Sequence, residues 1–295
     1  MSESETGTAP VVRRIRLRSG QHMATSVQGG TGPAVVLLHG IPGWRGTFGE
    51  VARRLADECR VYSPDLLGFG ESDPAPPGAH AAEQAAAVVE LLDALGLASA
   101  HLVGFDYGGP TAVLVAARAR ERVSSLTLAA TNLFPDTPVP APLRVASVPL
   151  LGDLAFRLAF ARPGLVALWR AATADRAAFP WARFRAALSS PQGVRSTREI
   201  FLASLRDLPG LYGPVADAAR TLGLPAAVLW GDRDPFFPPA AGRRTAEALG
   251  GSLRILAGCG HFVPEERPAE MAQAVLGLVR AGRPAVARSA GGREA

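Results

Sequence analysis

Residues 100–109 read AHLVGFDYGG, and this stretch decides the fold. A largely apolar run, typical of a strand buried on both faces, ends in the turn Gly104-x-Asp106-x-Gly108 and continues into an alanine-rich helix over residues 111–118. Glycine is needed two positions before and two positions after the central residue, because strand and helix come so close there that a Cβ atom would clash. The pattern predicts a sharp strand–turn–helix with the side chain of Asp106 at its tip.

Strands and helices alternate on both sides of this turn. Strands are predicted at residues 11–17, 22–27, 34–39, 59–64, 101–105, 123–129, 226–230 and 253–256, and helices at 47–57, 81–95, 111–118, 240–249 and 269–280. The first two strands alternate polar and apolar residues as an antiparallel hairpin does, whereas the later ones are continuous apolar runs. The alternation predicts an α/β fold whose sheet is twisted, mostly parallel and flanked by helices.

The alternation stops in the middle of the chain, where helical patches follow a proline cluster, Pro135, Pro138, Pro140 and Pro142, and no strand is predicted. We interpret this part as a helical lid, or cap, inserted between two strands of the sheet, above the strand ends where such folds bind ligands. The predicted organisation is a core of residues 11–131 and 223–281, a cap of residues 132–222, and disordered ends at residues 1–10 and 282–295.

Composition narrows the class of protein. The chain has 295 residues, of which 48% are hydrophobic and 19% charged, as in a globular protein with a sizeable core. No apolar run approaches the ~20 residues that span a bilayer, and the polar, acidic start does not resemble an export signal. Cys59 and Cys259 lack metal-ligand spacing and are expected to be free thiols. We expect a cytoplasmic monomer or homodimer that binds no membrane.

The net charge of +5 comes entirely from arginine, since the chain contains no lysine. The arginines are scattered at helical spacings instead of forming a stripe with aromatic residues, so nucleic-acid binding is not expected. We expect a small-molecule substrate, no cofactor and no metal.

Three further motifs fall in strand-end loops. His39-Gly40-Ile41-Pro42 follows the first buried strand, and its backbone N–H at Ile41, with that of Tyr107, is expected to form an oxyanion hole. Gly260-His261-Phe262 follows the last strand, so His261 is the candidate general base. Asp234, in the loop after residues 226–230, is the candidate that orients His261, in preference to Asp232, which we expect to cap the turn.

The nucleophile candidate is a carboxylate where many hydrolases carry serine. Asp106 needs no deprotonation at neutral pH, and its attack on saturated carbon leaves an alkyl ester that activated water must then cleave. An ordinary esterase reaction is disfavoured, because carboxylate attack on an ester carbonyl yields an anhydride. The expected electrophile is therefore an epoxide or an alkyl halide.

These motifs resemble the α/β-hydrolase superfamily over nearly the whole chain. The pairing of His39-Gly40-Ile41-Pro42 with Gly104-Phe105-Asp106-Tyr107-Gly108-Gly109 is similar to epoxide hydrolases and their dehalogenase relatives. The resemblance implies an α/β-hydrolase fold with an inserted helical cap and catalytic roles for Asp106, Asp234 and His261. It also implies that cap tyrosines hold the epoxide oxygen, and Tyr212 is the tyrosine of the predicted cap.

The resemblance favours epoxide opening over dehalogenation. Haloalkane dehalogenases usually carry tryptophan after the nucleophile and a polar residue at position 41, where this chain has Tyr107 and Ile41. An epoxide hydrolase that forms a vicinal diol is the expected function, with a haloalkane or haloacid dehalogenase and a non-catalytic ligand-binding relative as alternatives. The substrate is expected to be an apolar or aromatic epoxide, contacted by His39, Trp44, Tyr107, Trp169, Trp181 and Phe262, with indole donors possible from the two cap tryptophans.

Overall fold

A computed structural model describes residues 9–137 and 151–282 of the chain. The predicted disorder at residues 1–8 and 283–295, and the prolines at positions 138, 140 and 142, lie outside the described residues.

One eight-stranded sheet forms the centre of the molecule. Its strands are β1 (Val11–Arg16), β2 (His22–Gln28), β3 (Ala34–Leu38), β4 (Arg60–Pro64), β5 (Ala100–Phe105), β6 (Val123–Ala129), β7 (Ala226–Gly231) and β8 (Ser252–Leu256). Their spatial order is β1-β2-β4-β3-β5-β6-β7-β8. Strand β2 runs antiparallel to β1 and β4, and every other described pair is parallel. The predicted α/β fold is confirmed.

Helices cover both faces of the sheet. They are α1 (Gly49–Leu55), α2 (Ala81–Ala94), α3 (Gly108–Arg118), α9 (Pro239–Leu249), α10 (Val263–Glu266) and α11 (Pro268–Ala281). Along β3, Val35 and Leu37 belong to one apolar cluster while Val36 and Leu38 belong to another, because successive side chains of a strand point to opposite faces. Both faces are therefore buried, which explains why the central strands read as unbroken apolar runs.

The described residues 130–137 and 151–225, between β6 and β7, contain no strand. Their helices are α4 (Leu151–Ala159), α5 (Arg162–Ala172), α6 (Trp181–Ala186), α7 (Pro191–Arg206) and α8 (Leu208–Thr221). We call residues 151–222 the insert. Hydrogen bonds join it to the rest of the chain at several points, including Ser196 Oγ to the carbonyl of Gly68 at 3.0 Å and the N–H of His261 to the carbonyl of Ala172 at 2.8 Å.

None of the helices in the two described ranges has the length and apolar character needed to cross a bilayer.

Candidate active site

Asp106 stands at the tip of the turn between β5 and α3. Its backbone φ is +50°, a left-handed conformation that non-glycine residues seldom adopt. Three hydrogen bonds hold the backbone there: its N–H donates to Ala129 at 3.1 Å, and its carbonyl accepts from the N–H of Gly109 at 3.0 Å and from Thr131 Oγ1 at 2.6 Å. A strained residue so firmly held is typical of a functional site.

Two glycines make room for this turn. A Cβ atom at Gly108 would overlap the carbonyl oxygen of Leu38 and lie 2.9 Å from that of His39. A Cβ atom at Gly40 would lie 2.6 Å from Cβ and 2.7 Å from Oδ1 of Asp106. The loop after β3 can approach the carboxylate only because both positions lack a side chain.

The carboxylate of Asp106 accepts a hydrogen bond from the backbone N–H of Ile41, with 2.7 Å between N and Oδ1. Tyr107, the other expected oxyanion donor, is the N-cap residue of α3. Amide groups at a helix N-terminus have no partner within the helix, so this N–H is available to a ligand oxygen. The geometry is compatible with the expected oxyanion hole.

His261 lies between two carboxylates. Its Nδ1 is 2.9 Å from Oδ2 of Asp234, and its Nε2 is 3.5 Å from Oδ2 of Asp106. The other oxygen of Asp234 accepts hydrogen bonds from the N–H groups of Phe236 at 2.8 Å and Phe237 at 3.1 Å, which fixes the carboxylate. The structure therefore brings the three expected residues together in the order acid, imidazole, nucleophile candidate.

Asp232, the competing acid, has a different partner. Its Oδ1 accepts a hydrogen bond from the N–H of Cys259 at 3.2 Å and thereby links the loop after β7 to the loop that carries His261. The side chain of Asp234 is fully buried, whereas Asp232 is exposed.

The charge state of His261 depends on its neighbours. Burial disfavours the imidazolium, but the charge of Asp234 and the hydrogen bonds with Asp106 and Asp234 outweigh it and raise the pKa of His261 to about 10. The rings of Phe105, Phe236 and Phe262 lie 4.9–5.3 Å from the imidazole and limit access of water to it.

Two buried tyrosines lie near Asp106. Burial, and also the charge of Asp106, raises the pKa of both Tyr107 and Tyr212, so both phenols are neutral donors at neutral pH. Both rings contact the ring of His80 edge-on, with centroids 5.4 Å and 5.8 Å away. Within the described ranges, the hydroxyl of Tyr107 has no hydrogen-bond partner.

A narrow crevice, which we call the slot, runs between the insert and the core. Its aromatic walls are Trp44, Phe105, Phe179, Phe184 and Phe262, and it is also lined by an ion pair between Arg183 of α6 and Glu265 of α10. Phe105 and Phe262 also contact His261, so the slot adjoins the site. Burial raises the pKa of Glu265 to about 8 despite the neighbouring Arg183.

Residues 33–268 match the family model for the alpha/beta hydrolase fold. The chain belongs to the α/β-hydrolase family. Because this match spans most of the chain, we describe the protein as an enzyme, a hydrolase of the α/β family, and set aside the non-catalytic alternative.

Two curated relatives of this α/β hydrolase cover most of its length. Haloalkane dehalogenase 2 of Mycobacterium bovis is 32% identical over 257 residues, 85% of this chain and 89% of that protein. The 2-hydroxy-6-oxononadienedioate/2-hydroxy-6-oxononatrienedioate hydrolase of Burkholderia vietnamiensis is 28% identical over 261 residues, 85% of this chain and 88% of that protein. Among solved structures, the epoxide hydrolase CorEH aligns with a TM-score of 0.76 over 93% of this chain and all of its own, at 24% identity, which supports the fold alone.

Three of the expected substrate contacts, His39, Trp169 and Trp181, contact other parts of this α/β hydrolase instead of the slot. His39 is fully buried, its Nδ1 lies 2.8 Å from the carbonyl of Gly40, and its Nε2 accepts from the N–H of Leu66 at 3.0 Å. Both nitrogens are thus bound to backbone, and His39 braces its loop instead of facing a substrate. Trp169 donates its indole N–H to the carbonyl of Phe179 at 2.9 Å, so it cannot serve a leaving group.

Trp181 packs edge-on against Trp169 and beside Phe184, and it is not among the residues that line the slot. By contrast, Trp44 and Phe262 line the slot directly, as a substrate contact would.

Several residues near the site were missed by sequence reasoning. His80, Ser204 and Glu266 belong to no motif, since they stand at a helix start, near the C-terminal end of an insert helix and in a four-residue helix. Glu266 Oε2 accepts from the N–H groups of Ala174 at 2.9 Å and Gly260 at 3.1 Å, so it ties the His261 loop to the insert. The sequence offered only one signal of this role, an acidic residue five positions after His261.

Proposed function

We propose that this α/β hydrolase is an epoxide hydrolase that works through a covalent ester on Asp106. The observation that carries the proposal is the arrangement around the Asp106 carboxylate: a backbone N–H and an imidazole lie next to it, and two neutral phenols lie near it. A carboxylate nucleophile suits attack on saturated carbon, and the phenols suit protonation of an alkoxide.

In the first step, an oxygen of Asp106 attacks an epoxide carbon, and the electron pair of the breaking C–O bond goes to the epoxide oxygen. Tyr212, with Tyr107 as a second hydrogen-bond donor, protonates that oxygen. The products are an alkyl ester on Asp106 and a tyrosinate.

In the second step, water attacks the carboxyl carbon of the ester while His261, oriented by Asp234, takes one of its protons. The N–H groups of Ile41 and Tyr107 stabilise the tetrahedral oxyanion. The departing alkoxide takes the proton from His261 and leaves as a vicinal diol. The remaining proton, on the regenerated carboxyl group, returns to the tyrosinate.

The insert is proposed to act as the cap that covers this site. The slot has a volume of about 10 Å³, room for about one water molecule, so we propose that the insert shifts to admit the apolar part of a substrate to the slot. Its walls are aromatic, which suits an apolar or aromatic epoxide. Trp44 and Phe262 are the proposed substrate contacts.

Dehalogenation is the second candidate, and the 32% identity to haloalkane dehalogenase 2 favours it. The chemistry on Asp106 would be the same, with a halide as the leaving group. A halide needs hydrogen-bond donors but no proton, and the commitment of the Trp169 indole to Phe179 removes one expected donor. The two phenols therefore favour the epoxide.

The test is a panel of aryl and aliphatic epoxides, haloalkanes and haloacids, assayed with wild type and Asp106→Ala. Diol release by wild type alone supports the proposal, whereas halide release from the halogenated compounds alone favours the second candidate. His261→Gln is expected to accumulate the ester, visible as a mass increase equal to the whole epoxide. Single turnover in heavy-oxygen water places label on Asp106; label found only in the diol would exclude the ester.

A further inference from the structure

The loop that carries His261, residues 257–261, packs directly against the backbone of the insert. The N–H of His261 donates to the carbonyl of Ala172, the last residue of α5, at 2.8 Å. A Cβ atom at Gly260 would lie 2.2 Å from that same carbonyl oxygen, closer than non-bonded atoms can come. The end of α5 can therefore reach the backbone next to His261 only because position 260 lacks a side chain.

The carboxylate of Glu266 strengthens this contact. It is 3% exposed, and its Oε2 accepts three backbone hydrogen bonds, from the N–H groups of Ala174 at 2.9 Å, Asp175 at 2.7 Å and Gly260 at 3.1 Å. The first two donors belong to the insert, and the third belongs to the residue directly before His261. Because buried N–H groups need an acceptor, this one oxygen atom joins the two segments.

Arg267 makes a second connection between the same two segments. Its guanidinium donates to Oδ2 of Asp175 at 3.0 Å and to the carbonyl of Gly258 at 2.8 Å. Residues 172–175 of the insert are thus bound to residues 258–261 by a main-chain hydrogen bond and by two adjacent side chains.

The backbone of His261 needs this support because its ring has two partners at once. Nδ1 is 2.9 Å from Asp234, and Nε2 is 3.5 Å from Asp106. The ring can rotate about its side-chain bonds, but the separation of its two nitrogens is fixed, so a shift of the backbone must lengthen at least one of these contacts. Even small displacements of reacting groups cost about a hundredfold in rate.

We propose that Glu266 is a positioning residue for His261, and that residues 172–175 of the insert form part of the support of the catalytic base. The proposed shift of the insert must then leave these four residues in place. The kinetic part of this inference rests on the proposed function. His261 takes a proton from water in ester cleavage and transfers none in ester formation, so loss of Glu266 should slow the second step and spare the first.

The kinetic test follows single turnovers of styrene oxide with enzyme in excess. Glu266→Ala removes the acceptor of three N–H groups and is expected to slow ester cleavage by about a hundredfold, while ester formation stays near wild type. Glu266→Gln keeps an oxygen for the same donors and should restore most of the rate. Glu266→Asp, whose carboxylate is one carbon shorter, should slow ester cleavage by about tenfold and serves if Glu266→Ala does not fold.

Ser196→Ala is the matched control. Ser196 also joins the insert to the core, through the carbonyl of Gly68 at 3.0 Å, at a point that involves neither Glu266 nor residues 257–261. It should leave both steps unchanged. Equal slowing of ester formation and ester cleavage in the Glu266 variants would mean that Glu266 only stabilises the fold, and this would overturn the inference.

A measurement without substrate separates this inference from the proposed function. Burial lowers the pKa of His261, but its interactions with Asp234 and Asp106 raise it to about 10. A displaced imidazole should therefore titrate at a lower pH, and NMR titration is expected to give a lower pKa in Glu266→Ala than in wild type or Ser196→Ala. An unchanged pKa would overturn the inference. Absence of epoxide consumption by wild type would instead overturn the proposed function, and the titration would still test the role of Glu266.

Discussion

Nε2 of His261 lies 3.5 Å from Oδ2 of Asp106, close enough for the charge of Asp106 to affect the protonation of His261. The carboxylate of Asp106 contributes to the pKa of about 10 that His261 has in the free enzyme. In the proposed mechanism, ester formation would remove the negative charge of Asp106, so the pKa of His261 is expected to fall in the ester. The proposed first step would thus prepare His261 to act as the base in the proposed second step.

Removal of the Asp106 charge should lower the pKa of His261. We expect Asp106→Ala to bring it below about 10, because two of the contributions that raise it are lost while burial and Asp234 remain. The measurement is an NMR titration of the imidazole. An unchanged pKa would mean that Asp234 alone sets it.

Loss of the Asp234 charge should affect ester cleavage far more than ester formation. In Asp234→Asn the side-chain amide can hold His261 in the wrong tautomer, and a loss of about a thousandfold is expected. Quench-flow mass measurement should show the ester accumulating. Asp232→Asn is the control, since an amide oxygen can still accept the hydrogen bond from Cys259. Equal losses in the two variants would contradict the role of Asp234.

A side chain at position 40 should abolish the chemistry. In Gly40→Ala the new Cβ would lie 2.6 Å from Cβ of Asp106, so the carboxylate or the loop must move. Since even small displacements of reacting groups cost about a hundredfold, ester formation should fall by at least that much. Gly277→Ala is the control, because no atom lies within 4 Å of the Cβ it would add. Activity near wild type in Gly40→Ala would show that the loop is not tightly packed on the nucleophile.

Glu265 should make the protein less stable as pH rises. Its pKa is 4.5 in the reference state and about 8 when folded, so the unfolded chain ionises first. Stability from this group is complete below pH 4.5 and is lost as the pH rises to about 8, by about 5 kcal/mol in the limit. Glu265→Gln should lose less stability than wild type between pH 5 and pH 8 in denaturant unfolding. Arg185→Gln, on the same helix as Arg183, is the control. Parallel curves for Glu265→Gln and wild type would contradict the raised pKa.

The sheet could be predicted because its strands are buried on both faces and its turns carry glycine where a Cβ would clash. Because β5 is buried on both faces, its sequence is a largely apolar run that predicts a strand. The turn after β5 needs small residues at fixed spacing, and this spacing is also visible in the sequence. The Asp106 loop, the Asp234 loop and the His261 loop each follow a strand of one parallel sheet, so their convergence followed from topology.

The insert was predictable only as a helical region. Trp169 could face the slot or donate its indole N–H to the carbonyl of Phe179. Which of the two occurs depends on how the helices of the insert pack, and helical periodicity does not determine that packing. The same holds for His39, because one of its two backbone partners, Leu66, comes from the loop after β4, and the packing of that loop on His39 is not visible in the sequence.

The sequence by itself determined the α/β fold, the carboxylate at the turn and the order of the three candidate catalytic residues. Each of these follows from the spacing of glycines around a turn or from the apolar runs of buried strands. Only the tertiary structure decided which side chains surround that carboxylate. His80 and Ser204 are 124 positions apart and belong to no repeating pattern, so their 3.0 Å contact arises from the packing of the insert on the core.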